Sequence, residues 1–105
     1  MPIQLQIWER RDSGKREIMA NTALELCRIT RKMQGITSAR YYWSGSEDIV
    51  FIVEGDTDAF NTTPEKVPAD YAKFGFILAD HARQTLIKRL MDPKTGAQNY
   101  NKAGR

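Results

Sequence analysis

The chain has 105 residues, 41% of them hydrophobic and 28% charged, a composition that fits one globular domain with a modest core and excludes collagen-like, coiled-coil and disordered classes. Its longest unbroken apolar run, "IVFIV" at Ile49 to Val53, is far short of the ~20 residues that cross a bilayer. The net charge of +3 suggests nucleic acid, but residues 1–92 hold all 13 acidic residues and 13 of the 16 basic ones, so the body is neutral and offers no phosphate-binding surface.

The opening "MPIQLQIWERR" has neither a cationic leader before an apolar stretch nor a small-residue cleavage site, so it does not read as a secretory signal. In "PIQLQIW", Ile3, Leu5 and Ile7 alternate with Gln4, Gln6 and Trp8, the two-residue period of a strand. The aliphatic face of this strand is expected to point toward covering helices. After "ERRDSGKRE", with Asp12 or Ser13 as N-cap, Ile18, Thr22, Leu26, Ile29 and Met33 share one helical stripe, with Glu17, Glu25, Arg28, Arg31 and Lys32 on the opposite arc. Gly35 is placed to end that helix. Cys27 lies at the edge of the stripe. As the single cysteine it cannot form an internal disulfide, which makes a reducing cytoplasm the default compartment, and with no base beside it an inert thiol is expected.

"ARYYWSGSEDIVFIVEG" follows, two strands around a Ser-Gly-Ser turn, apolar on both faces. A turn at Gly45 pairs Trp43 with Asp48, Tyr42 with Ile49, Tyr41 with Val50 and Arg40 with Phe51. "GDTDAFNTTPEKVP" is a polar loop. A second helix starts near Pro68, carries Tyr71, Phe74, Leu78, His81, Ala82 and Thr85 on one stripe, and stops at Asp92-Pro93. A fourth strand is expected after it, but "TLIKRLM" can supply one only by shortening the helix, and "AQNYNKA" is a poor strand sequence. Residues 1–92 form a single domain in this reading, with 93–105 a polar tail.

The order strand, helix, strand, strand, helix predicts an α+β, ferredoxin-like βαββα(β) sandwich with an antiparallel sheet and two helices on one face. The other sheet face is too apolar to be left in water. The economical cover is the same face of a second copy about a two-fold axis, a homodimer. On this pattern, residues 3–92 resemble the dimeric α+β barrel superfamily, in which two ferredoxin-like subunits stack their sheets, and its small monooxygenase-like and stress-response members.

The resemblance implies a site between sheet and helices. Some members are haem-degrading or cofactor-independent oxygenases, and the haem branch ligates iron with a histidine on the second helix, which singles out His81, the only histidine, as a catalytic candidate. That branch also uses a first-strand asparagine and a sheet tryptophan. Here the first strand offers Gln4 and Gln6, and neither Trp8 nor Trp43 has a demonstrable counterpart, so no cofactor is assigned. Read from the residues, Arg40 supplies a fixed cation beside aromatics. Tyr42, Trp43, Trp8 and Tyr71 supply flat contact surface for a small aromatic ligand.

No nucleophile, base and orienting group converge in the sequence, which keeps a non-catalytic dimeric interaction module as the alternative. RNA-recognition domains share this order of elements, but their third strand begins basic-Gly-aromatic, whereas this one reads "DIVFIV". Nucleic acid is excluded as a partner on that ground. Asp56, Asp58, Glu47 and Asp48 lack the loop length or companion ligands of a metal site.

Overall fold

A computed structural model describes residues 2–61 and 67–91. The elements run β1 (Ile3–Arg10), α1 (Arg16–Arg31), β2 (Ile36–Ser44), β3 (Asp48–Gly55), a short 3-10 turn (Thr57–Asn61), α2 (Ala69–His81) and β4 (Ala82–Leu90). The strands form one sheet in the order β2-β3-β1-β4, with every neighbouring pair antiparallel. This is the ferredoxin-like arrangement expected from the sequence. The expected tail, 93–105, and the stop at Asp92-Pro93 lie outside the described residues.

The fourth strand is the first correction. α2 ends at His81, and "ARQTLIKRL" continues as β4, paired along β1 from Arg10↔Ala82 to Ile3↔Leu90. The stripe that carried Ala82 and Thr85 onto the helix fits a strand as well. The free edge of β1 decides between them, because an unpaired edge strand leaves a row of backbone groups without partners. Pairing slips by one residue between Ile7 and Trp8. Thr85 occupies the bulge and donates its hydroxyl to Ile7 O at 3.3 Å.

Register supplies the second correction. Ser44 pairs with Asp48, leaving a three-residue turn, Gly45 to Glu47, in which Gly45 takes φ +74°. That backbone conformation favours glycine. Trp43 therefore faces Ile49, Tyr42 faces Val50, Tyr41 faces Phe51 and Arg40 faces Ile52, one residue away from the expected pairing. A one-residue slip exchanges the face of every side chain on β2 relative to β3.

The third correction concerns the faces of β1. Ala39, Ile49 and Phe51 are buried with Met19, Ala23, Leu26 and Cys27 of α1 and Leu78 of α2, and Trp8, Tyr41, Trp43 and Val53 pack around them. Opposite residues of an antiparallel pair share a face, and Gln4↔Val53, Gln6↔Phe51 and Trp8↔Ile49 are such pairs. The polar face of β1 thus lies under the helices, and Ile3, Leu5 and Ile7 lie on the open face with Val50, Ile52, Tyr42 and Leu86. Helix α1 starts later than Asp12 or Ser13, its N-cap being Lys15 without a side-chain cap bond. Its C-cap is Lys32, three residues before Gly35.

One junction ties these layers together. Arg11 N donates to His81 O at 2.9 Å, Arg11 Nε donates to Ala79 O and Ala82 O, and Lys15 N donates to His81 Nδ1 at 3.2 Å. Gly14 runs so close beneath that a Cβ there would stand 2.0 Å from His81 O. The connection between β1 and α1 is therefore buttoned onto the point where α2 becomes β4.

Candidate functional site

Between the helices and the covered sheet face lies a cleft of about 250 Å³. Its floor is Gln4, Gln6 and Trp8 of β1 with Phe51 and Val53 of β3. Leu26, Cys27 and Thr30 of α1 form one wall, and Tyr71, Gly75 and Leu78 of α2 the other. Phe60, from the short 3-10 turn, and Val67 stand at the remaining side. Phe60 is held from outside by Arg89, whose guanidinium lies 5.2 Å from the ring centroid and donates to Phe60 O at 3.0 Å.

Among the described residues no charged side chain lines the cleft. Its polar groups form a connected set. Gln6 Oε1 accepts hydrogen bonds from Trp8 Nε1 and Gln84 Nε2, each at 3.0 Å. Thr30 is turned away to its own helix, its hydroxyl donating to Leu26 O at 2.7 Å. Burial holds the Tyr71 phenol above its ordinary pKa of 10.0, with nearby Cys27 adding to the rise and the polar Gln6 side chain opposing it. Burial likewise pushes the Cys27 thiol up, against a smaller opposing pull from Arg31. Both groups are therefore protonated near neutral pH, and Cys27 is no nucleophile there.

The residues singled out in the sequence divide between several places. Trp8 and Tyr71 line the cleft. Arg40 and Tyr42 stand on the opposite, open face, for the register reason given above, and Arg40 donates to Ser38 Oγ at 3.2 Å and to Tyr42 Oη at 3.5 Å. Trp43 is on the helix side but outside the cleft, its ring 4.5 Å below the Arg16 guanidinium. His81, expected to aim inward among Tyr71, Phe74 and Leu78, instead closes α2, with its carbonyl and Nδ1 taken by the junction. Polar residues the sequence did not single out for binding are Gln4 and Gln6 of the lining and Gln84, which is bonded to Gln6. A strand that alternates glutamines with aliphatics carries a signal for the first two, since the polar groups must find partners whichever face is covered. Gln84 had none while its segment read as helix. Among the described residues no group of His, Cys, Asp and Glu could hold a metal ion, and no helix is long and apolar enough to cross a membrane.

No protein-family model and no curated protein matches the sequence. Solved structures do match the fold. SnoaB, a cofactor-independent oxygenase from Streptomyces nogalater, superposes with a TM-score of 0.73 at 10% identity, over 90% of this chain and 94% of that one. An antibiotic biosynthesis monooxygenase gives 0.68 at 16% identity, over 89% and 98%. A dimeric protein of unknown function and ferredoxin-like fold from Bacteroides fragilis gives 0.55 at 16%, over 85% and 94%. The chain thus has the ferredoxin-like fold that these structures share.

Proposed function

We propose that the protein binds a small, neutral aromatic molecule in the cleft between sheet and helices, and that it works as a homodimer closed through the open sheet face. The observation that carries this reading is the lining itself. A cleft of about 250 Å³ walled by Trp8, Phe51, Phe60, Tyr71 and aliphatics has room for one or two fused rings. It also has the composition of a small-molecule site, mostly apolar with a few convergent polar groups. The lack of a lining charge among the described residues favours a neutral ligand, since a buried carboxylate would lose its hydration with no cation there to replace it. Trp8 and Tyr71 are the proposed ligand contacts. The oxygenase named among the structural neighbours supports oxidation of the bound ring as the accompanying activity.

The test is a thermal-shift screen of neutral one- and two-ring aromatics, repeated over protein concentration, followed by oxygen-electrode measurements on any binder. A concentration-dependent rise in Tm is expected, because a ligand that binds only the folded state stabilises it. If no member of such a panel raises Tm, the cleft is not a ligand site. The non-catalytic reading draws on a different observation: among the described residues the lining holds no histidine or carboxylate, and the Cys27 thiol is kept protonated. Binding without oxygen uptake is the result that selects it.

A further inference from the structure

Tyr71, Gly75 and Leu78 follow the spacing of one helical face of α2, and all three line the cleft. A side chain at position 75 would therefore extend into the cleft between a tyrosine and a leucine. Glycine is an unfavourable choice inside a helix, because it loses more backbone freedom on folding than any other residue. Each of the other described glycines has a backbone reason for being one. Gly35 and Gly45 take φ of +85° and +74°, and a Cβ on Gly14 or Gly55 would stand 2.0 or 2.7 Å from a backbone oxygen.

Gly75 has neither reason. It lies within α2 without a positive φ, and a Cβ built there meets no described atom within 4 Å. Nor does it serve to bring α1 close, since a tight crossing would place atoms of α1 inside that radius. What the glycine leaves at this place is room. An apolar cavity of about 150 Å³ is enough for one benzene ring, whereas the cleft measures about 250 Å³. A leucine side chain at position 75 would bring as many carbon atoms as a second fused ring adds to the first.

We propose that Gly75 is the specificity-determining residue of the cleft: its missing side chain keeps the space of a second ring open, and the site takes fused two-ring aromatics in preference to single rings. This rests on the reading of the cleft as a small-molecule site.

The test compares 2-naphthol with phenol, which share a hydroxyl, are both neutral at neutral pH and differ by one fused ring. Each is titrated into the wild-type protein, Gly75→Ala and Gly75→Leu, followed by NMR through the Trp8 indole N–H resonance, and Tm is measured without ligand. The wild type should favour 2-naphthol about tenfold, the gain from burying the extra ring. Gly75→Ala should raise Tm by about 2–6 °C, because alanine suits a helix better and its methyl group meets open space, and should narrow the preference. Gly75→Leu should weaken 2-naphthol at least about tenfold by crowding while phenol stays within about threefold. A folded Gly75→Leu protein that keeps the wild-type preference overturns the proposal, and so does one that loses both probes alike, since position 75 then does not measure ring size. A lower Tm in Gly75→Ala shows that the fold itself requires the glycine and overturns its assignment to the cleft. Should Gly75→Leu fail to fold, an unchanged preference in Gly75→Ala is the overturning result. If the wild type binds both probes equally, the ring-size selectivity fails while the binding site stands; if it binds neither, the site reading fails and this inference falls with it.

Discussion

At the scale of single residues, Tyr71 and Cys27 make the cleft a source of alkaline sensitivity. Each has a folded-state pKa raised above its ordinary value, 10.0 and 9.0 respectively, chiefly by burial. Below about pH 8 both are protonated, folded or unfolded, and they contribute almost nothing to the slope. As pH rises past those values the unfolded chain gives up protons that the folded chain keeps, so stability falls. Denaturant midpoints should therefore be level between pH 7 and about pH 8 and decline above. The alkaline slope should be shallower in a Tyr71→Phe, Cys27→Ala double variant. An unchanged slope in that variant would show that the two groups titrate alike in both states. Glutamine and the Trp8 indole, by contrast, do not titrate, so the hydrogen bonds among Gln6, Trp8 and Gln84 are insensitive to pH.

At the scale of elements, α2 and its exit carry the predictions. Leu78 is 1% exposed and Phe76 is 74% exposed on the same helix, so hydrophobic size is no guide to their worth. Leu78→Ala should cost about 2–5 kcal/mol by cavity formation, whereas Phe76→Ala should stay within about 0.5 kcal/mol, both read from urea denaturation. The junction at His81 is the second weak point. Gly14→Ala would set a methyl group 2.0 Å from the His81 carbonyl, and since both sides are backbone, neither gives way cheaply. A loss of at least ~1–3 kcal/mol is expected. His81→Ala removes only the acceptor for Lys15 N and should cost about 1 kcal/mol. Because His81 does not line the cleft, that variant should still take up any ligand that the wild type binds. Loss of ligand from a folded His81→Ala protein would return the histidine to the site.

At the scale of the whole molecule, the open sheet face is the surface on which the proposed homodimer rests. Ile3, Leu5, Ile7, Val50, Ile52 and Leu86 form its apolar centre, with Arg40, Lys88 and the Glu9–Arg83 ion pair toward its margins. A contiguous apolar face of this kind marks an interaction surface, and in the proposed homodimer a second copy would cover it with matching surface. Val50→Lys with Ile52→Lys should give monomers or insoluble protein in sedimentation velocity, while the cleft on the other face keeps its lining. A wild-type chain that sediments as a stable monomer at high micromolar concentration would sink the dimer.

Much of this architecture was legible in order and little of it in orientation. Local periodicity determined by itself that residues 3–10 and the hairpin are strands, that α1 has one apolar stripe, that Pro68 opens α2, and hence that the fold is ferredoxin-like. These features depend on side-chain spacing within a few residues. Which face of β1 the helices cover is a different kind of fact. Alternation says that two faces differ but not which one meets a helix, and here a polar face with a tryptophan goes under the helices to build a lined cleft. The one-residue choice of turn at Gly45 moved Arg40 and Tyr42 out of the site, because register is settled by pairing along the whole ladder. The segment from Ala82 to Leu90 suits helix and strand alike, and only the unpaired edge of β1 made it a strand. That edge also brought Gln84 to Gln6, a contact across 78 residues of chain that no local pattern encodes, since it exists only once the ladder has formed.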